Sequence, residues 1–254
     1  MLLKITEKCS MGCSHCMNDA KPDGKHMSLD TFKDVIDFLV KNDLQQIIML
    51  TGGEPTEHPL FPLFMGYIEG KLTELKKKSH ITVTTNGFWI LDNINLAKEI
   101  ASGTEYVGVE FQVSADDRYY PRRIDRTKRI WREKGFVFCD KCVEYMYPQG
   151  RAKTNNYPYK RISSNCYNIR AISKQLANPT FKDIIDTLQQ AHKFCTPAIR
   201  IDGSISLGES DLCPPCTSIY DDNAEIVRKI QDFKCNGCYP LNESLSPKYK
   251  KFVE

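Results

Sequence analysis

The stretch that decides the fold is MLLKITEKCSMGCSHC, residues 1–16. Its first six residues read as a β-strand, and Cys9, Cys13 and Cys16 follow at once in a CxxxCxxC spacing. A strand that runs straight into such a loop gathers three thiols at the carboxyl end of a sheet, where open α/β folds carry their ligands. Three thiolates can hold three irons of a cubane four-iron, four-sulfur cluster and leave the fourth iron open to a substrate or cofactor. Taken alone, the same residues also fit a zinc site or three incidental thiols.

Composition narrows the classes. A chain of 254 residues, 41% of them hydrophobic, can bury the core of one large domain with a smaller appendage. It has no apolar run long enough for a membrane span and no leader-like N-terminus, so a soluble, cytoplasmic protein without membrane contact is expected. Eleven cysteines, an odd number clustered at short spacings, argue for metal ligation in a reducing compartment rather than a disulfide framework. The net charge of +3 is modest, but residues 118–134, RYYPRRIDRTKRIWREK, concentrate positive charge. That segment suits either an anionic substrate or the solvated outer face of a helix. Its tyrosines and Trp131 could stack on bases, yet no nucleic-acid module surrounds them, so a nucleic-acid partner is not expected.

Along the first half, short apolar runs alternate with helical patterns, which predicts parallel strands joined by crossover helices. Strands are expected at residues 1–6, 45–51, 80–85 and 106–114, with a fifth in FVFCDKCVEYMY after an arginine-rich helix. Ser28 caps a helix whose Phe32, Val35, Ile36, Leu39 and Val40 share one face, and a further helix is predicted over 91–101. Phe181, Ile184, Ile185 and Leu188 form another amphipathic helix capped by Thr180. The turn-rich stretch between reads as a linker, and little periodicity follows.

The cysteine loop resembles that of the radical S-adenosylmethionine (SAM) superfamily, with His15 where that family usually has an aromatic residue. TGGEP, Thr51 to Pro55, is similar to the family's glycine-rich motif at the end of the second strand, whose backbone meets the SAM amino group. Glycine there leaves room for such an approach. TTNG, Thr84 to Gly87, and QVSADD after the fourth strand also match in order and context. The resemblance covers residues 1 to about 150. It implies cluster ligation by Cys9, Cys13 and Cys16, and SAM contacts from Gly52, Gly53, Glu54, Pro55, Thr85, Asn86 and Ser114. The implied chemistry is reductive cleavage of SAM to methionine and a 5'-deoxyadenosyl radical, with the electron supplied by an external reductant of flavodoxin or ferredoxin type.

Cys195, then Gly208 separated from Cys213 by four residues, then CNGC with Cys235 and Cys238, resembles the short twitch form of the SPASM extension found on some of these enzymes. PQGRA, residues 148–152, is similar to a stretch that precedes it. The resemblance implies an auxiliary four-iron, four-sulfur cluster on Cys195, Cys213, Cys235 and Cys238. By spacing alone, Cys213, Cys216, Cys235 and Cys238 fit a zinc ribbon equally well. Cys139, Cys142, Cys166 and Cys216 are then buried thiols or ligands of a second auxiliary cluster, and Cys216 is the candidate hydrogen donor to a substrate radical.

These features predict an α/β protein: a radical SAM core with a partial (β/α) barrel of five or six parallel strands over residues 1–152, a linker over 153–180 and a Cys-rich twitch-like unit over 181–254. The expected activity is hydrogen abstraction from a substrate. Modification of a ribosomally made peptide by cross-linking, oxidation or epimerisation stands first, because it is common among relatives with this extension. For such a peptide the recognition element is expected to be a separate protein or absent, since the chain starts almost on its first strand. Dehydrogenation of a small molecule, with the auxiliary cluster taking the electron, is the alternative. A zinc-binding interaction or nucleic-acid module is the alternative of another class.

Overall fold

Short runs of alternating burial, joined by helices with one apolar face, assemble here into a single α/β sheet. The computed structural model describes residues 1–114, 125–133, 136–139, 150–157, 173–190, 197–208 and 213–233. Strands β1 (Leu2–Thr6), β2 (Ile47–Gly52), β3 (Ser79–Thr85), β4 (Val107–Ser114) and β5 (Val137–Cys139) pair in parallel as neighbours. On the other side of β1, β6 (Ala198–Ile199) pairs in parallel, and β7 (Ser204–Ser206) and β8 (Pro215–Ser218) continue antiparallel. The order is β5-β4-β3-β2-β1-β6-β7-β8, so the run of six parallel strands fits the expected partial barrel.

One face of this sheet is dry. Leu3, Ile5, Ile48, Leu50, Ile81, Val83, Val107, Phe111 and Val113 are buried against the helices. Helix α1 (Leu29–Lys41) starts where expected, with Ser28 Oγ accepting from Thr31 N at 3.0 Å, and buries Phe32, Val35, Ile36 and Leu39. The Phe32 ring stacks on Phe64 of α2 (Phe61–Glu74), centroids 3.8 Å apart. The helix predicted over 91–101 is two helices, α3 (Phe88–Asp92) and α4 (Ile94–Ser102). Asn93 divides them: its backbone leaves the helical region at φ −127° and its side-chain amide donates to Trp89 O at 3.0 Å.

Two parts of the chain pack more centrally than their composition suggests. In α5 (Asp125–Glu133), Trp131 is fully buried, donates from Nε1 to Gly87 O at 3.2 Å and meets Phe88 edge to face. A base-stacking role for Trp131 is thereby overturned, because the apolar side of a basic amphipathic helix has gone into the core. Its tyrosine neighbours at 119 and 120 lie outside the described residues.

Residues of the expected C-terminal unit add β6, β7 and β8 to the same sheet. The helix Phe181–Gln190 starts at Thr180 as expected, Thr180 Oγ1 accepting from Asp183 N at 3.1 Å, and buries Phe181, Ile184 and Ile185 in the common core. A further helix, Asn223–Asp232, was not anticipated. Asp222 caps it, accepting from Glu225 N at 2.8 Å, and it buries Ile226, Val227 and Ile230. Residues 158–172 of the expected linker over 153–180, and the Cys-rich end at 234–254, lie outside the described residues. Replacing Trp131 by Ala is expected to cost about 3–5 kcal/mol in urea unfolding, as a fully buried ring deletion does. A loss near zero would mean that α5 is not part of the core.

Candidate cofactor and metal centre

The site grows from the carboxyl ends of β1 and β2. As β1 ends, the chain enters the cysteine loop and returns beside itself: Cys9 N donates to Lys21 O at 2.9 Å and Glu7 N to Lys25 O at 2.8 Å. The end of β2 then runs along the start of the loop, with Gly53 N donating to Thr6 O and Glu54 N to Lys8 O, both at 2.7 Å. A Cβ on Gly53 would stand 2.1 Å from Lys8 O, and one on Gly52, whose φ is +147°, 2.1 Å from Thr6 O. The chain's own backbone therefore already demands both glycines. The Gly52 carbonyl accepts from Asn18 Nδ2 at 3.1 Å, so the residue just past the third cysteine is tied to the same point.

Below this contact sits a buried carboxylate. Glu54 Oε1 accepts from Thr56 N (3.1 Å), Thr56 Oγ1 (2.5 Å) and Thr85 Oγ1 (2.6 Å), while Oε2 accepts from Asn86 N (2.6 Å). Burial pushes its pKa up against the pull of these four donors. Pro55 opens the 3-10 turn Pro55–Glu57, and Glu57 turns back to the loop, taking Ser10 N at 3.0 Å and Ser10 Oγ at 2.6 Å. Thus Glu54, Thr85 and Asn86, expected at the cofactor, have Glu54–Thr85 and Glu54–Asn86 contacts of their own that lock the ends of β2 and β3 together. Ser114 ends β4 half-buried, its hydroxyl without a hydrogen-bond partner among the described residues.

The three thiols are half-buried and unbridged. Burial, reinforced by Glu54 and Glu57, pushes Cys9 up to about 12, and burial with the Cys16 charge pushes Cys13 up to about 11. Iron loading must therefore displace protons from them. Among the described residues no three His, Cys, Asp or Glu side chains converge closely enough to hold a single metal ion. Three thiols carried on one loop are the donor set of a cluster that takes one thiolate per iron and leaves one iron for another ligand.

Beside the loop, a cavity of about 420 Å³ opens among Lys4, Thr6, Asn18, Gly52, Gly53 and Arg200. This is the size of a small-molecule site. Lys4, 8% exposed, reaches Asn18 Oδ1 at 3.2 Å.

Cys216 does not come to this site. It lies on β8, three places from β1 in the sheet, its Sγ donating to Lys229 O at 3.5 Å and its pKa pushed up to about 12 by burial. Cys213 is buried, and its carbonyl accepts from Arg200 Nη2. Cys195, Cys235 and Cys238 lie outside the described residues, as do Cys142 and Cys166. Sequence reasoning missed Asn18 and Glu57, whose partners lie 34 and 47 residues away, and no local pattern marks such contacts. Changing Glu54 to Gln replaces an acceptor by a donor facing donors, and is expected to cost about 1–3 kcal/mol in urea unfolding. Unchanged stability would show that the carboxylate does not hold β2 to β3.

Comparison with known proteins agrees with this geometry. The sequence profile of the Radical SAM superfamily matches residues 3–137. A GTP 3',8-cyclase of Clostridium perfringens (strain SM101 / Type A) is 27% identical over 146 residues, 56% of this chain and 42% of that one. An uncharacterised protein of Methanocaldococcus jannaschii is 40% identical over 55 residues, 22% of this chain and 19% of its own length. The chain thus spans less than half the length of these curated relatives. Among solved structures, BtrN in complex with AdoMet and 2-DOIA shares the fold, with a TM-score of 0.55 over 91% of this chain and 83% of that one at 14% identity. With its cysteine loop, glycine-rich turn and strands β2 to β4 inside the matched span, the chain belongs to the radical SAM superfamily.

Proposed function

We propose that this radical SAM enzyme abstracts a hydrogen atom from a small, polar molecule held on the open face of its sheet. Bound at Cys9, Cys13 and Cys16, a four-iron, four-sulfur cluster together with SAM would supply a 5'-deoxyadenosyl radical able to attack an unactivated carbon. The protein's part is to hold the three thiolates at one end of the sheet, to orient the substrate beside them and to keep water away.

The observation that carries the choice of substrate is the second face of the sheet. Opposite the dry face, Thr51, Thr82, Thr84, Gln112 and Ser114 project half-buried, and none has a side-chain hydrogen bond among the described residues. Thr82 is in register with Glu110, and Thr84 with Gln112, so these groups form rows across neighbouring strands. Half-buried polar groups without protein partners are satisfied by water or by a ligand. A compact substrate with several hydroxyl, amino or amide groups would satisfy them, and the neighbouring cavity has the size for one. The named relatives point the same way, since GTP is a small polar molecule. Peptide modification rests on the C-terminal cysteines, most of which lie outside the described residues. An auxiliary cluster on Cys195, Cys213, Cys235 and Cys238, and a flavodoxin or ferredoxin as reductant, remain parts of this proposal. No helix among the described residues is long and apolar enough to cross a membrane.

The test is anaerobic reconstitution of the wild type and of a variant with Cys9, Cys13 and Cys16 changed to Ala, counting iron, sulfide and zinc. The wild type should hold about four irons more than the variant and form 5'-deoxyadenosine from SAM when reduced. Polar small molecules, not peptides, should accelerate that formation. Iron retained by the variant would mark an auxiliary cluster, zinc alone a zinc ribbon. A wild type without iron would refute the proposal.

A further inference from the structure

We infer that Arg151 is a positioning residue for the cluster loop, fixing its ligand geometry and holding a positive charge against it. This rests on the reading of Cys9, Cys13 and Cys16 as cluster ligands. Arg151 belongs to α6 (Gly150–Thr154), which lies 138 residues along the chain from the loop it contacts. Its guanidinium donates from Nε to Cys13 O at 2.8 Å and from Nη1 to Asp19 Oδ1 at 3.1 Å and Ala20 O at 2.9 Å. One rigid fork therefore ties the second ligand to the residues after the third, with Cys16 between the two anchor points.

The rest of the segment closes on the same loop. Ala152 N donates to Cys16 O at 3.3 Å, Asn155 Nδ2 to Ser14 O at 2.8 Å, and the Tyr157 hydroxyl meets Ser14 Oγ at 2.5 Å. Gly150 makes the approach possible. At φ +54° it sits where a Cβ would stand 2.7 Å from both Cys16 O and Met17 O. Carbonyls of Cys13, Ser14, Cys16 and Ala20 are thus all held by residues 150–157, so the loop's shape is set by a distant part of the chain.

The charge has its own effect. Arg151 is 24% exposed against 44% for its partner Asp19, so the cation is the less screened of the two. A cation beside Cys13 favours the more negative, reduced state of a thiolate-bound centre, and its removal should lower the reduction potential. Lysine keeps the charge but lacks the fork, which separates the two effects.

The experiment loads iron anaerobically into wild type, Arg151→Gln, Arg151→Lys and Asn155→Ala. It measures the rate of iron release to a chelator and the midpoint potential by EPR-monitored redox titration. Arg151→Gln should release iron severalfold faster and titrate at a lower potential. Arg151→Lys should release iron faster while keeping a potential near wild type, and the exposed Asn155→Ala should give a smaller increase in release with no change in potential. Matching release rates and potentials in wild type and Arg151→Gln, with the wild type normally loaded, would overturn this inference alone. A wild type that takes up no iron would remove the cluster reading and this inference together. Should Arg151→Gln fail to fold, Arg151→Lys and Asn155→Ala still decide: release at the wild-type rate in both overturns the inference.

Discussion

The close passage of Gly52, Gly53 and Glu54 past Thr6 and Lys8 is the contact from which the site follows. Two backbone hydrogen bonds of 2.7 Å join these segments, and no side chain fits between them. Because β1 and β2 are adjacent parallel strands, their carboxyl ends emerge together, and the contact carries that adjacency out of the sheet into the cysteine loop. The glycine-rich turn is thus first a structural joint. Its suitability for a cofactor follows from the same bareness, which leaves the cavity wall at Gly52 and Gly53 free of side chains.

Around the joint, polar groups do work that apolar packing could not. Glu54, almost fully buried, collects donors from three residues and so fixes the β3 end against the turn. A buried carboxylate left without them would cost several kcal/mol. Glu57 and Arg151 grip the loop from opposite chemical sides, an anion on the Ser10 N–H and a cation on the Cys13 carbonyl. The two faces of the sheet differ in kind: the dry face supplies the stability, and on the other face half-buried threonines, Gln112 and Ser114 have no side-chain hydrogen bond among the described residues.

Much of the fold was legible because its signals are local. Strands β1 to β5 showed as short apolar runs, whereas the two- to four-residue strands β6 to β8 did not, and Ser28 and Thr180 marked helix starts through bonds to residues only three positions on. The helix at Asn223–Asp232 was missed although Asp222 and Glu225 form a D-x-x-E start ahead of Ile226, Val227 and Ile230. Its ten residues lie between Cys213 and Cys216 on one side and Cys235 and Cys238 on the other, too short a span for its period to stand out against the cysteine spacing. Asn93 was hidden because an asparagine inside a helical pattern only sometimes breaks it. At the site, the cysteines and the glycine-rich turn were legible by spacing, whereas the partners of Glu54, Glu57 and Arg151 were not. Those bonds cross 31, 47 and 138 residues, and the fold alone brings their ends together.

The central claim is that the chain itself, before any iron arrives, builds the cysteine loop. Amide hydrogen exchange of the iron-free protein tests it most directly, read at Cys9, Ser10, Gly53 and Glu54, whose N–H groups are all donated within the joint. The account requires protection of these amides comparable to that of β1. Exchange at the rate of an unstructured chain, with protection appearing only on loading iron, would show that the metal rather than the protein shapes the site.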